Sequence, residues 1–488
     1  MSFNKNQRNA IIVTFLGLII YFFVPPVNGL TEIGVKLLAI FIPMVLIWLI
    51  EGGSGWSALA GTTCLVLIGA YDGAETYKLF WGGSMVAMII PFYMLANALE
   101  ESGALMWIVR WILSRKIING RPKVFTILFA ISIVLISFLI SAMVTVVLFF
   151  KVLKDISKSI EINRDSDFYR AHGLMIAWIG QVCDGTLVWA RPYVATMYAI
   201  IIGLGFANFT LGDYFKISSL YLIFVVIISI IIVLVWIKPD VSAFLNYDVE
   251  EMQNKLIEEP MSKKAKVLLI GMICVVAMYV IAFITPLGKI QIYFNGLPLA
   301  APISIVVAIL ALITIDGEYV LDINREAKNL PWGTIMFLGS VMLFGGIMGE
   351  PQFGITTFMS NLVSPIVMSL PKTMTFLIGL TIAAIFTNFT SNAVSNIVVL
   401  TCFTPAMLSS GIFTSAEVLS FAVCVTIMCS TAVATRAACA TMSVVYCPEG
   451  IEYKGTAKYS VALIVACVLF STFILIPLGD IFFSYLFI

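Results

Sequence analysis

An all-α polytopic membrane protein is the fold class this sequence predicts, on three observations. The 488 residues are 61% hydrophobic and 11% charged, with a mean hydropathy of +1.05, unlike any ordinary soluble domain. Apolar runs long enough to cross a bilayer recur along the whole length. The runs are continuous, without the short alternating segments of a transmembrane β-barrel. The same composition excludes other classes. A net charge of +1 leaves no basic domain or stripe for nucleic acid. Nine cysteines are scattered without a CxxC pair and read as reduced thiols in an apolar interior. One histidine, His172, and no HExxH or paired aspartates leave no catalytic group set, so no enzyme is expected and no resident cofactor.

Taken in order, the polar stretch Met1–Arg8 runs into a first transmembrane helix rather than a removed signal. Spanning segments follow the apolar runs near 10–25, 32–50, 56–70, 82–99, 171–204, 217–237, 265–285, 298–315, 333–348, 416–447 and 458–486, about eleven in all. Residues 104–116 carry Met106, Trp107, Val109, Trp111 and Ile112 among Arg110, Arg115 and Lys116, which predicts an amphipathic in-plane helix. Two further apolar regions, about 124–153 and 373–410, have polar islands in the middle, Ser141–Thr145 and Thr387–Asn396. A straight helix would strand Thr387, Asn388, Thr390, Ser391, Asn392, Ser395 and Asn396 at mid-depth. Re-entrant hairpins with polar tips in a protein-lined cavity are expected instead. The long segments 171–204 and 416–447 have helix-breaking middles, Gly180, Gly185, Thr186 and Pro192 in one, and Ser430, Thr431 and Thr435 in the other. Freed backbone groups at such breaks can hold small cations and anions. The charged stretch 239–264 reads as a solvated linker, with Met252, Leu256 and Ile257 on one side of a short surface helix.

Orientation follows the positive-inside rule. With the N-terminus cytoplasmic and each hairpin returning to its own side, 21 Lys and Arg fall inside and 5 outside. The halves also repeat: Leu79–Gly82 answers Leu330–Gly333, Glu100-Glu101 answers Glu350, and the tip at Ser141 answers Ser391. Residues 1–238 and 265–488 are therefore expected to be inverted repeats joined by 239–264, a common plan of secondary transporters.

The remaining two cations are Arg191 and Arg436, in matching copies of T-x-V-x-x-R-x-x-x-A-T-M at Thr186–Met197 and Thr431–Met442. A cation inside a membrane is costly unless it meets water, a partner or a substrate. Three roles stay open for the pair. They can grip an anion bidentately, replace the charge of a coupling cation, or form structural ion pairs, Arg191 with Asp184 for example. Asp184 is read as a partner of an arginine, with proton carriage as the alternative. His172 is read as a packing residue. Glu51, Glu100, Glu101 and Glu350 are helix-end groups, and Trp81, Trp107, Trp111 and Trp332 interfacial anchors.

Asn388-Phe389-Thr390-Ser391-Asn392-Ala393 resembles the E-F-T-S-N-T-A stretch of the divalent anion:sodium symporter family. The resemblance extends to Leu49-Ile50-Glu51, to Leu95–Gly103 and to the loop from Ile179-Gly180 to Pro192. It implies a homodimer in the plasma (inner) membrane, each protomer with a scaffold and an elevator-type transport domain. It implies a secondary active transporter of a small di- or tri-anion, dicarboxylate-like, coupled to Na+. By position, sodium would meet Thr387, Thr390 and Asn392 with the Ala434 region, and Ser141 and Ala142 with the Trp189–Ala190 backbone. The substrate would meet Ser141, Ser391, Asn392, Ala393, Thr435, Arg191 and Arg436. This chain departs from the family at the first tip, where S-N-T becomes Ser141-Ala142-Met143, at Ala393 in the second tip, and in both loops, where arginine stands for the first proline. A sodium-independent anion exchanger, with Arg191 and Arg436 replacing cation charge, is the alternative expectation. An anion channel is a remoter one.

Overall fold

A computed structural model of the protein describes residues 5–51, 55–186, 192–206, 208–242, 244, 249–283, 300–348, 350–390, 392–436, 438–447, 450–452 and 455–487. Helices dominate, as an apolar solvent requires of a backbone that must satisfy its own hydrogen bonds. The first half holds α1 (Lys5–Phe23), α2 (Glu32–Glu51), α3 (Gly55–Leu67), α4 (Gly73–Gly82), α5 (Ser84–Glu101), α6 (Ala104–Leu113), α7 (Pro122–Ser137), α8 (Ala142–Ser159), α9 (Asp167–Thr186), α10 (Pro192–Gly203) and α11 (Leu211–Ile231). The linker carries α12 (Glu250–Glu258). The second half holds α13 (Lys263–Phe283), α14 (Ala301–Leu312), α15 (Ile323–Lys328), α16 (Trp332–Met348), α17 (Ile355–Ser369), α18 (Lys372–Phe389), α19 (Asn392–Ser410), α20 (Ser415–Met428), α21 (Ala440–Val445), α22 (Ala457–Phe470) and α23 (Ile476–Phe483). One small hairpin, β1 (Thr314–Ile315) with β2 (Glu318–Tyr319), pairs antiparallel with Thr314 opposite Tyr319.

Among the described residues, five helical stretches are long and apolar enough to cross a membrane: Gly73–Glu101, Gly212–Ile237, Lys372–Phe389, Asn392–Ser410 and Ala457–Leu486. Eight shorter apolar helices accompany them. The chain is thus an all-α polytopic membrane protein. Local chemistry sets the helix ends. Pro122 opens α7, where its missing N–H costs nothing. Thr210 with Asp213, and Thr414 with Glu417, form capping boxes at α11 and α20. Gly103 and Gly354 stand 251 positions apart, and each leads into a helix, α6 or α17, with φ of 75° and 66°. At Gly354 a Cβ would lie 2.1 Å from the Gly29 carbonyl oxygen, so only glycine fits.

The helices sort into two packed groups. Helices α1–α5, α13, α14 and α16 pack on one another, and α7–α9, α11, α18–α20, α22 and α23 form the second group. Between them, α10 lies on α16, and α17 lies on α19. Helices α9 and α20 are buried on nearly every side, the mark of central helices. Helices α11 and α22 both run into π-helical turns, Ile232–Ile237 and Ser471–Leu475. They meet through Phe224 stacked on Phe470, ring centroids 3.9 Å apart.

Two readings of the sequence change. Residues 355–369 form α17, although the hydrophobic pattern leaves them unassigned, because Ser360, Asn361, Ser364 and Pro365 dilute the apolar run. The linker is more than a solvated tether. Phe244 is fully buried against Phe125 and Phe168, centroids 4.7 and 5.9 Å away. Helix α12 packs on α6, Gln253 donates to the Ser114 carbonyl at 2.8 Å, and Glu259 pairs with Arg110. Ile257 on α12 is exposed, so the expected apolar side is not wholly covered. His172 completes the aromatic cluster, buried beside Phe168 and bonded to Thr126 at 3.1 Å.

Candidate functional site

The first half presents a helix break between α7 and α8. Ser141 caps α8, its hydroxyl accepting from the Val144 N–H at 3.4 Å. The buried carboxylate of Asp184, on α9, accepts from the Ala142 N–H at 2.9 Å. It therefore sits on the positive end of the α8 dipole, where a negative charge is stabilised. The carbonyl end of α9 is tied down by α11: Tyr214 donates to Gly185 O, and Ser218 donates to Thr186 O at 3.2 Å. Ser141 also borders a small cavity of about 50 Å³ that it shares with Asn97 and Glu100 of α5. One turn before Asp184, Gln181 is buried with no partner for its amide oxygen among the described residues.

In the second half, the break between α18 and α19 is knitted to the non-helical stretch 429–439. Asn388 is the hub. Its amide donates to Thr431 O at 3.0 Å and to Ala384 O at 2.8 Å. Its oxygen accepts from Val433 N at 3.0 Å and Ala434 N at 2.8 Å, and its own carbonyl accepts from the Thr435 hydroxyl. The Thr387 hydroxyl lies 3.0 Å from Asn392 Oδ1 and 2.6 Å from Cys429 O. Three neutral oxygens, from α18, α19 and the stretch after α20, thus converge, the donor type that suits a small hard cation. Thr390 turns elsewhere, to Phe386 O and Ser395, each at 2.8 Å.

The halves are interlocked. Helix α10 packs on α19 and α20, while α21 packs on α8 and α9. Each helix leaving an arginine loop therefore lies on the opposite half. Arg436 is exposed at the end of its loop. It opens onto a cavity of about 410 Å³ that it shares with Arg164, Arg170, Cys447, Gly450, Ile451 and Glu452.

Of the residues expected at the site, Arg191 and Ser391 lie outside the described residues, as does the Trp189–Ala190 backbone. Thr387 and Asn392 come together, Ala434 and Thr435 meet through Asn388, and Ala393 is buried in the first turn of α19. Among the described residues Thr390 bonds to Phe386 O and Ser395 and not to that group. Ser141 stands at the other tip with Asp184's partner Ala142 next to it. Sequence reasoning missed the linking role of Asn388, the Cys429 carbonyl and Gln181. Asn388 was visible as part of the polar island, but a backbone carbonyl leaves no signature in side-chain chemistry.

Comparison with known proteins adds an independent line. A family model described as a citrate transporter matches residues 44–426. An uncharacterized transporter of Methanocaldococcus jannaschii is 26% identical over 133 residues. That stretch is 27% of this chain and 28% of the archaeal protein, so the match spans under a third of either.

Proposed function

This chain belongs to the citrate transporter family, and from that premise we propose that it is a secondary transporter of a small organic di- or tricarboxylate. The observation that carries the reading is Arg436, exposed where the buried helix α20 gives way to irregular backbone, and opening onto a cavity wide enough for such an anion. Irregular backbone at membrane depth belongs where it lines a cavity, and a guanidinium there offers a planar grip on a carboxylate. Arg191, in the matching motif, is assigned the same role from the other half.

Sodium is the coupling ion in this reading. Thr387, Asn392 and the Cys429 carbonyl would hold it. The division into two helix groups supports an elevator-type movement of α7–α9, α11 and α18–α23 against the rest, with α10 and α17 at the boundary. The assembly is a homodimer in the inner membrane, with the N-terminus and linker cytoplasmic. A second reading, sodium-independent exchange with Arg191 and Arg436 replacing the cation charge, draws support from Arg436, whose fixed positive charge opens onto the cavity.

Purified protein in liposomes tests both. Citrate and succinate uptake is measured with an inward sodium gradient, with none, and with vesicles preloaded with the same anion. Sodium-driven accumulation is the expected result. Equal exchange without sodium selects the second reading, and non-saturable flux overturns carriage altogether.

A further inference from the structure

We propose that the cavity onto which Arg436 opens is completed as an anion-binding site by Arg164 and Arg170, on the linker face of the protein. The inference rests on the polycarboxylate reading above and adds a place and residues to it. Arg164 comes from the segment joining α8 to α9, Arg170 from the first turn of α9, and Arg436 from the loop between α20 and α21. The first turn of α9 also carries Phe168, which packs against the linker residue Phe244, so the cavity lies on the face where the linker runs.

The chemistry is that of a reversible anion trap. The volume, about 410 Å³, falls in the range of ordinary small-ligand pockets, roughly 300–1,000 Å³. Arg170 is held in place. Its Nε and Nη2 donate to the Asp165 carbonyl at 3.1 and 2.5 Å, and its Nη1 stands 3.8 Å from Asp167. A guanidinium already fixed gives up little freedom when it meets a carboxylate. The lining also holds the carboxylates of Asp165 and Glu452. With Asp167 beside Arg170 the three cations meet three anions, so an incoming di- or trianion is held by guanidinium donors rather than by a net field, weakly enough to be released, as a transport path requires.

Cys447 lines the same cavity as a free, half-buried thiol, which makes it a reporter in the unaltered protein. Full-length protein in phosphatidylcholine liposomes is treated with N-ethylmaleimide, and alkylation of the Cys447 peptide is followed by mass spectrometry as citrate is raised. Citrate should slow the modification. In the Arg164→Gln/Arg170→Gln variant the half-protecting concentration should rise roughly tenfold, equal to about 1.4 kcal/mol. Lys154→Gln/Lys158→Gln, which removes exposed charges outside the cavity lining, should leave it unchanged. Arg164→Lys/Arg170→Lys keeps the charge and tests the grip if the glutamine variant is not monodisperse: weaker protection supports the site, equal protection overturns it. Absence of protection in the wild type, or protection equal in wild type and the glutamine variant, overturns the proposal. So does protection by phosphatidylglycerol alone to which citrate adds nothing, since the occupant is then a lipid headgroup. Failure of wild-type vesicles to take up any di- or tricarboxylate is a separate result and sinks the transport reading instead.

Discussion

Arg436 and Asn388 show how differently two polar residues can serve one loop. A hydrogen bond to a charged group is worth roughly 1.5–3 kcal/mol. Arg436→Ala should therefore lower kcat/KM for carboxylate uptake by roughly 10- to 150-fold while the protein still elutes as a folded species. Arg436→Lys should recover only part, because a point charge lacks the planar fork. Asn388 acts on structure. Asn388→Ala takes the partner from Ala434 N and one of two partners from Val433 N and Thr431 O, which still bond each other at 2.9 Å, at about 1–3 kcal/mol for a buried group left unpaired. A clear drop in Tm is expected, measured by thermal unfolding in detergent, and an unchanged Tm would contradict the hub role. Both arginines stand out in the sequence because a cation in an apolar run is conspicuous. The role of Asn388 does not, because an amide in a polar island gives no sign of which backbone groups it will face.

At the scale of elements, α15 holds a group at odds with its surroundings. Glu326 is buried with Oε2 unpartnered among the described residues, close to Glu101, Arg325, Lys264 and Asp322. Burial raises its pKa first, and Glu101 and Asp322 raise it further, while Arg325 and Lys264 pull it back. A carboxyl whose folded pKa lies above its unfolded value contributes stability below the unfolded pKa, and that stability is lost as pH rises through the folded pKa. Glu326→Gln should therefore raise Tm at pH 8, and the gain should shrink as pH falls toward the ordinary carboxylate range. A gain independent of pH would exclude ionisation as its cause. Helix breaks near Ser141 and Thr390 were readable from polar islands in apolar runs. Helix α17 was not, since its serines, asparagine and proline dilute the pattern while tertiary packing on α19 supplies the stability.

At the scale of the molecule, the linker joins what the sequence separates. Phe244 enters the aromatic cluster at the ends of α7 and α9 while α12 rests on α6. Phe244→Ala removes a fully buried ring, a change that costs about 3–5 kcal/mol in a packed core. Limited proteolysis should then cut within 239–264 faster than in the wild type, with the helical groups surviving. Unchanged cleavage would mean that α12 alone holds the linker. The class of the fold was legible from hydropathy, because bilayer crossing imposes length and continuity on every span. The linker's anchor was not, because one phenylalanine in a charged stretch looks like any exposed residue until its cage is known.

The crossed packing of α10 and α21 has a consequence for synthesis. Helices α8 and α9 emerge more than 250 residues before α21, which covers them. At about 5–20 residues per second, this leaves a gap of roughly 10–50 s. During that interval Asp184 and its neighbours stand in the membrane without their final cover. Neither half can finish its own loop alone, so the growing chain depends on the insertion machinery, or on water held beside it, until the second half arrives.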